Sequence, residues 1–356
     1  MNRKLAILTY RLLFIFWEGN GLASKNLNSI VEHSKLNHAN LIENAISANK
    51  AAQSPVVASW QRSKLLHNLD PNHYRPPERL SSYELRQTRD KIGSLIHIAN
   101  PRLDRLYLAL SSVGCCVLLA DANGVPVARR GAEPDDKTFN EFGLWTGALW
   151  SEDSEGTNGI GTCLIEERAL TIHKDEHFHS KNIDFSCSAA PIFDHVGKLI
   201  GALDVSSCRS DLTAGFSQLI SDSVIAAAAR IEGENFCQHF DGAKIILAKS
   251  DIDDEDTSKY QGAALIAVDG DDMVIGATRR ARHIYDLSED SLKTALPLSS
   301  LDGKDIDEEA SYLRAGRRSI KQALARSGGN ISQAAISMGI SRATLHRKIK
   351  RFELDS

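Results

Sequence analysis

Between Arg317 and Arg351 the chain carries nine Lys/Arg and no Asp/Glu, and glycines cut this stretch at Gly328-Gly329 and again at Gly339. Glycine is the residue that most readily ends a helix, because it alone takes the left-handed conformation at no cost. The spacing therefore predicts three short helices, Arg317–Ser327, Ile331–Met338 and one from Ser341 to about Phe352. Asn330 with Gln333 three residues on has capping-box spacing, and Ser341 is placed to cap the third helix. Ile320 and Leu324 share one face of the first helix. The second is small and alanine-rich, so another helix can approach it closely. In the third, Leu345, Ile349 and Phe352 recur at i, i+4, i+7 and face inward. A short helix, a glycine turn and a cationic helix make helix-turn-helix geometry.

The inward set leaves Arg342, Thr344, His346, Arg347, Lys348, Lys350 and Arg351 pointing outward. Arg342 and Thr344, near the N-terminal end of the third helix, are placed to meet base edges in a major groove, with His346 and Arg347 one turn on. Lys350 and Arg351 are better suited to phosphates, which position a protein without specifying sequence. Asn330, Ser332, Ser341 and Lys348 complete the candidate DNA contacts. A charge run is ordinarily just a solvated face. Here it coincides with capped helices and a glycine turn, which favours double-stranded DNA as the partner. The overall balance of 42 Lys/Arg against 46 Asp/Glu hides this, since the chain outside 317–351 keeps 33 basic against 46 acidic residues, a charge of −13. An acidic body with a basic end is the footprint of a tethered nucleic-acid binder.

A length of 356 residues allows two or three domains. Residues 1–50 are expected to be an N-terminal extension. Its opening, Met1–Trp17, starts basic and turns apolar, with Leu22-Ala23-Ser24 beyond, and so mimics a secretory signal. Arg11 splits the run, which falls short of the roughly 20 residues a spanning helix needs. An amphipathic extension, or a start site placed too early, is the preferred reading, with no membrane partner and a cytoplasmic location. Residues 51–102 form a helical lead-in: a short amphipathic helix from Pro55 stopped by Pro71, a turn at Tyr74-Arg75-Pro76-Pro77, and a long helix after Ser82 whose Leu85, Ile92, Leu95 and Ile96 share a face.

Residues 103–240 alternate strand and helix signals. Cys115–Asp121 reads as a strand and Asn123-Gly124 as a hairpin turn, with Val125–Arg130 returning. Ala169–His173, Cys187–Phe193 and Leu199–Ser206 are further strands, the last two joined through Asp194-His195-Val196-Gly197, and Ala214–Phe240 is a long apolar helix. Several antiparallel strands with flanking helices indicate an α+β sheet rather than an alternating βαβ fold. Residues 241–312 hold an acidic linker, Asp251–Asp256, then a strand–turn–strand–helix pattern and a second acidic stretch, Asp302 to Glu309. Residues 313–356 are the basic end.

Two rival chemistries sit in the central segment. His173-Lys174-Asp175-Glu176-His177 spells the inverted zinc-protease motif, in which two imidazoles at i, i+4 hold zinc and the glutamate acts as base. That motif needs a helix, whereas Ala169–His173 reads as a strand, so hydrolysis is the remote alternative and the expectation is that the chain is not an enzyme and holds no cofactor. A sensory metal held by His173, His177, His179 and perhaps Cys187 is a nearer one. Redox sensing through Cys115-Cys116 is the other. Adjacent residues on a strand point to opposite faces, and buried free cysteines usually pack as small hydrophobes. None of the six cysteines shows CxxC spacing, which fits a reducing compartment.

Two stretches resemble known families. GGNISQAAISMGISRATLHRKIKRF at the basic end is similar to the Fis-type helix-turn-helix, which implies a homodimer reading a palindromic operator. CCVLLADANGVPV, GLWTGALWSEDSEGTNGIGTCLIE, LTIHKDEHFH and CSAAPIFDHVGKLIGALDVSS resemble the sensor of the acetoin-catabolism regulators, a branch of the sigma-54-dependent activators whose sensor is a GAF domain. The likeness extends upstream to ASWQRS (58–63) and LRQTRDKIGSLIHIANPRLDRLY (85–107), so it spans about residues 50–240. It implies an α+β multidomain chain: a GAF-like antiparallel sheet with flanking helices, a short PAS-like segment (IAVDGDDMVIGATRRARHIY resembles the opening of a PAS domain), and an all-α helix-turn-helix. A GAF-like pocket should be apolar with a few convergent polar groups. Trp145, Trp150, Phe178 and Phe185 are candidate walls, and Thr157, Asn158, Thr162, His173 and Asp204 candidate polar contacts. Gly156–Gly161 can equally be a backbone turn in which glycines allow positive φ.

The resemblance also breaks. That family places a whole AAA+ ATPase between sensor and DNA-binding end, whereas only about 75 residues separate Phe240 from Arg317, and no GxxxxGK[ST] phosphate loop occurs. The expectation is a regulator that acts by occupancy and contact, with RNA polymerase as a further partner. Binding of a small-molecule effector would pass through the helix Ala214–Phe240 to the spacing of two recognition helices.

Overall fold

The computed structural model describes residues 37–301, save 49, 53, 74, 210–212, 249–261 and 294–295, together with Ile320 and residues 323–351. Met1–Trp17, both acidic stretches, Phe352 and most of the first helix of the basic end lie outside the described residues. The chain divides into two compact units, Met1–Ala267 with Gly276–Leu287, and Val268–Ile275 with Ser288–Ser356.

The first unit is built on one antiparallel sheet. Strands β1 (Cys115–Asp121) and β2 (Pro126–Arg130) form the hairpin marked by Asn123-Gly124, where Gly124 has φ +80 and Asp121 Oδ1 accepts from the Asn123 and Val125 backbone N–H groups. Strands β3 (Leu170–His173), β4 (Ser186–Phe193) and β5 (Leu199–Ser207) complete the order β2-β1-β5-β4-β3.

Side-chain alternation sorts the strand residues onto two faces. Cys115, Val117, Leu119, Leu203 and Val205 meet helix α4 (Gly93–Leu110) and helix α8 (Ala214–His239) in one core. Cys116, Leu118, Ala120, Cys187, Ala189 and Ala202 face the other way. There they are covered by residues 133–166, which include α5 (Asp136–Glu141), α6 (Glu152–Glu155) and α7 (Gly159–Glu166). This second face carries the candidate sensor site.

A helix stands ahead of the lead-in, and the lead-in itself differs from its sequence pattern in two places. Residues 37–47 form helix α1, which buries His38, Ala39 and Ile42. Helix α2 (Pro55–Gln61) starts with Ser54 as N-cap and Pro55 in the first turn, where its missing N–H costs nothing. It then widens into a π-helical turn, Arg62–Leu66, and ends near Asn68, which takes φ +53 before Pro71 is reached. The long helix after Ser82 is two helices, α3 (Ser82–Lys91), capped by a Ser81/Glu84 box, and α4. They part at Ile92, φ −117, beside Gly93, the poorest helix former other than proline. Ile42, Val57, Trp60 and Phe178 make a separate buried cluster that ties the lead-in to the sheet domain.

Beyond α8, β6 (Lys244–Leu247), β7 (Leu265–Val268) and β8 (Val274–Ala277) form a three-stranded sheet, followed by α9 (Arg279–Ile284) and α10 (Glu289–Lys293). The PAS-like strand–turn–strand–helix pattern is present. β6 was not legible, because four residues without alternation become a strand only by pairing. In the second unit Ile320, Ala323, Ala334, Ala335 and Leu345 pack helix α11 (Ile331–Ser337) against helix α12 (Arg342–Arg351).

Candidate sensor cavity and nucleic-acid interface

The strand register places Arg129, Leu118, Asp204, Ala189 and Leu170 in one row across the sheet, since each is the antiparallel partner of the next. Directly paired residues project from the same face, so this row lies under residues 133–166. A cavity of about 10 Å³, the size of one water site, is lined there by Leu144, Trp150, Asn158, Gly159, Ile160, Cys187, Asp204 and Ser206.

Asp204 supplies the polarity. Its Oδ2 accepts from Ser206 Oγ at 2.7 Å, and its Oδ1 is buried with no partner. Burial, opposed only by the Ser206 bond, pushes the carboxyl up to about 7. The group is therefore balanced between acid and carboxylate near neutrality, able to donate or to accept. The Ser206 hydroxyl also lies 3.1 Å from Cys187 Sγ. Gly159 is needed at this wall, because a Cβ there would stand 2.7 Å from both Asp204 Oδ1 and Cys187 Cβ.

Of the nine ligand candidates drawn from sequence, Trp150, Asn158 and Asp204 line the cavity. Trp150 Nε1 donates to the Gly143 carbonyl at 2.8 Å. Asn158 is the N-cap of α7: its Oδ1 accepts from Gly161 N–H and its Nδ2 donates to the Gly156 carbonyl, each at 2.8 Å. The other six lie elsewhere. Trp145 is half-buried against Arg129, whose Cζ sits 4.2 Å from the ring centroid. Thr157 and Thr162 are buried behind the wall, facing the lead-in. Phe178 belongs to the lead-in cluster. His173 pairs through Nδ1 with Ser186 Oγ at 3.0 Å. Phe185, the fourth aromatic wall candidate, is buried in the second-face core with its ring edge against Phe142. Sequence reasoning missed Leu144, Gly159, Ile160, Cys187 and Ser206. Ser206 and Cys187 were within reach of it, the first two residues on from Asp204 on one strand face, the second its cross-strand partner.

Behind the wall a buried polar network joins the lead-in to the loop Trp150–Thr162. Ser59 Oγ lies 2.7 Å from Thr157 Oγ1 and 3.3 Å from Thr162 Oγ1. Arg62 Nε and Nη2 donate to the two oxygens of Glu152 at 2.6 and 3.1 Å, and Nη2 also reaches Glu166 at 2.8 Å. Thr162 Oγ1 in turn accepts from Asn158 N–H. ASWQRS is thus the strut of the cavity wall.

The rival chemistries do not find their geometry. The zinc-protease spelling falls on the end of β3, a 3-10 turn Lys174–Glu176 with Lys174 at φ +49, and an extended His177. No helix brings His173 and His177 onto one face. Glu176 is used locally, accepting from His173 N–H at 2.7 Å. His177 and His179 are buried, which pushes each imidazole down to about 4. Among the described residues no three His, Cys, Asp or Glu groups converge as a metal set. Cys115 and Cys116 point to opposite cores, and burial pushes the Cys115 thiol up to about 11 and that of Cys116 well above its ordinary value. Neither offers the thiolate that redox chemistry starts from.

At the basic end, Asn330 caps α11, its Oδ1 accepting from Ser332 and Gln333 N–H. The reciprocal arm of the box is taken by the backbone, Asn330 N–H donating to Ser327. Gly339 turns the chain at φ +64, and Ser341 Oγ accepts from Thr344 N–H to start α12. Leu345 is buried and Ile349 packs beside it. Ser332, Ser341, Arg342, His346, Arg347 and Lys350 are exposed, and Thr344 and Lys348 half-buried. Lys348 and Lys350 sit in the second half of α12 with Arg351. Asn330 and Ser341 spend their side chains on capping.

No helix among the described residues is long and apolar enough to cross a membrane. Residues 35–232 match the family described as MimR, N-terminal domain, and residues 317–352 match bacterial regulatory protein, Fis family. The chain is 32% identical over 242 residues to the acetoin catabolism regulatory protein of Cupriavidus necator, covering 67% of this chain and 35% of that protein. It is 32% identical over 151 residues to the acetoin dehydrogenase operon transcriptional activator AcoR of Bacillus subtilis, covering 42% of this chain and 25% of that one. It is also 32% identical over 162 residues to the propane 2-monooxygenase operon transcriptional activator MimR of Mycolicibacterium smegmatis, covering 45% and 26%. The similarity thus spans about a third or less of those relatives' lengths. Among solved structures, the E. coli DhaR(N)–DhaL complex gives a TM-score of 0.48 at 15% identity, over 68% of this chain and 80% of that one. With a MimR N-terminal domain over more than half its length and a Fis-family helix-turn-helix at its basic end, the chain belongs to the family of transcriptional regulators that carry these two modules.

Proposed function

We propose that the protein is an effector-gated DNA-binding regulator that works without ATP hydrolysis. The observation that carries the sensing half is Asp204 Oδ1, a wholly buried, unpartnered acceptor at a cavity wall. A buried polar atom left unpaired costs about 1–3 kcal/mol, and an effector that bonds to it recovers that cost. The cavity has room for about one water, so a larger guest must move Gly159 and Ile160 at the start of α7. That displacement pulls on Asn158, Thr162 and hence Ser59. Helix α8, packed on the opposite face of the same strands, carries the difference onward to the DNA-binding ends of a homodimer on a palindromic operator. The shift in operator affinity can be no larger than the difference in effector affinity between the two states. A DNA target favours a cytoplasmic location, with RNA polymerase as the proposed contact for activation or repression.

Footprinting of the full chain on genomic DNA, with and without a cell metabolite extract, tests this reading. A palindromic footprint that changes with extract supports it. A footprint indifferent to extract keeps the DNA-binding half and rejects the effector. No footprint rejects the whole.

A further inference from the structure

Arg129 holds two guanidinium N–H groups, Nε and Nη2, out of solvent and without a partner. These nitrogens share one edge of the guanidinium plane, the edge that takes a carboxylate through two parallel hydrogen bonds. Everything else about the side chain is fixed. Nη1 is committed to Asp136 Oδ1 at 2.7 Å, Trp145 lies 4.2 Å from Cζ, and Phe139 lies 5.6 Å from it. Gly131 passes so close that a Cβ there would collide with the guanidinium. The side chain is only 9% exposed. Lysine could serve the Asp136 pair alone; an arginine whose fork is buried and unspent is built for something more. Donors on a cation are costlier to bury unpaired than neutral ones.

The fork is also in the right place. Arg129 and Asp204 flank Leu118 in the same cross-strand row, two strand spacings or roughly 10 Å apart. Both lie under residues 133–166, so the sensor face has an unpaired donor pair at one end and an unpaired carboxyl oxygen at the other. We propose that the effector is a small carboxylate, its two oxygens on Arg129 Nε and Nη2 and its far end, carrying a hydroxyl or carbonyl, towards Asp204. This rests on the reading of that face as the sensor. Only two donors are presented, in one plane, which suits a flat carboxylate better than a tetrahedral oxoanion.

The test uses thermal unfolding of the full chain in sodium formate and sodium acetate against sodium chloride at equal ionic strength, with inorganic phosphate and acetoin as comparisons. Formate and acetate are expected to raise Tm saturably, by a few degrees. Arg129→Lys, which keeps the charge but not the fork, should abolish that rise, and Gly131→Ala, which displaces the guanidinium, should weaken it. Equal Tm in formate and chloride overturns the proposal, as does protection that survives Arg129→Lys. Should Arg129→Lys fail to fold, the salt comparison on the unaltered chain together with Gly131→Ala decides. If acetoin alone protects, and its effect is lost in Asp204→Asn but kept in Arg129→Lys, the carboxylate is wrong while the sensor reading stands. If metabolite extract leaves the footprint unchanged although formate protects through Arg129, the sensor reading fails and the carboxylate site remains.

Discussion

Ser59 and Glu152 stand 93 residues apart in the chain and meet at 2.6 Å, with the serine hydroxyl donating to a carboxylate whose side chain is 1% exposed. Arg62, one helical turn on, forks the same carboxylate. The lead-in is therefore part of the sensor rather than a spacer in front of it. It holds the loop whose other surface lines the Asp204 cavity.

Removing Arg62 leaves Glu152 as a buried carboxylate without its cation, which costs about 3 kcal/mol. Ser59→Ala removes one neutral donor and should cost about 1–2 kcal/mol. Urea unfolding of each variant and of the double variant measures both. The two share Glu152, so their effects should fail to add. Strict additivity would mean that the network is not a unit.

Gly156 sits at φ +64, ψ −157, a region that residues with a Cβ avoid, and a Cβ there would stand 2.7 Å from Phe178 Cβ. Gly156→Ala should cost at least about 2 kcal/mol. Its midpoint in denaturant checks this, and an unchanged midpoint would show that the loop has another way to turn.

Four buried groups with large shifts contribute to the pH response. Burial raises Asp204 from 3.8 to about 7 and Glu232 from 4.5 to about 8, so the fold keeps these protons after the unfolded chain has lost them. Their contribution is full at low pH and falls as pH rises through those windows. His177 and His179, lowered from 6.5 to about 4, refuse protons that the unfolded chain takes, and their contribution falls as pH drops below 6.5. The two pairs oppose each other between about 4.5 and 6.5. From 6.5 to 8 only the acids still titrate, and stability should decline. Asp204→Asn should make stability climb with pH from 4.5 to 6.5, since one acid no longer offsets the imidazoles. Denaturant midpoints across this range read it directly, and a variant curve parallel to the parent would return Asp204 to an ordinary pKa.

Asn330→Ala removes the cap of α11 and should cost about 1 kcal/mol of stability. Arg347→Ala should weaken specific DNA binding by about 1–3 kcal/mol if the side chain reads a base edge. Titrations on operator and random DNA separate the roles, because equal losses on both would reassign Arg347 to phosphate.

The elements with their own local signals were legible. The Asn123-Gly124 hairpin, the period-2 strands and the capped helices of the basic end all stand where residue chemistry puts them. What escaped depends on partners distant in sequence. Nothing in ASWQRS announces that Ser59 and Arg62 will bury Glu152, and Phe178 has the character of a pocket wall, whereas Ile42 and Trp60 enclose it. The aromatic character of Trp145 predicts a wall, whereas its contact is the cation of Arg129. Asp204 was readable from strand alternation, but its unpaired oxygen depends on what Gly159 and Ser206 leave open.

The DNA-binding claim is tested most directly by the salt dependence of operator affinity for the full chain. If a dimer neutralises about eight phosphates, log K should fall with log salt at a slope near −7. A slope near zero would contradict the account, because the cationic face of α12 would then be only a solvated surface.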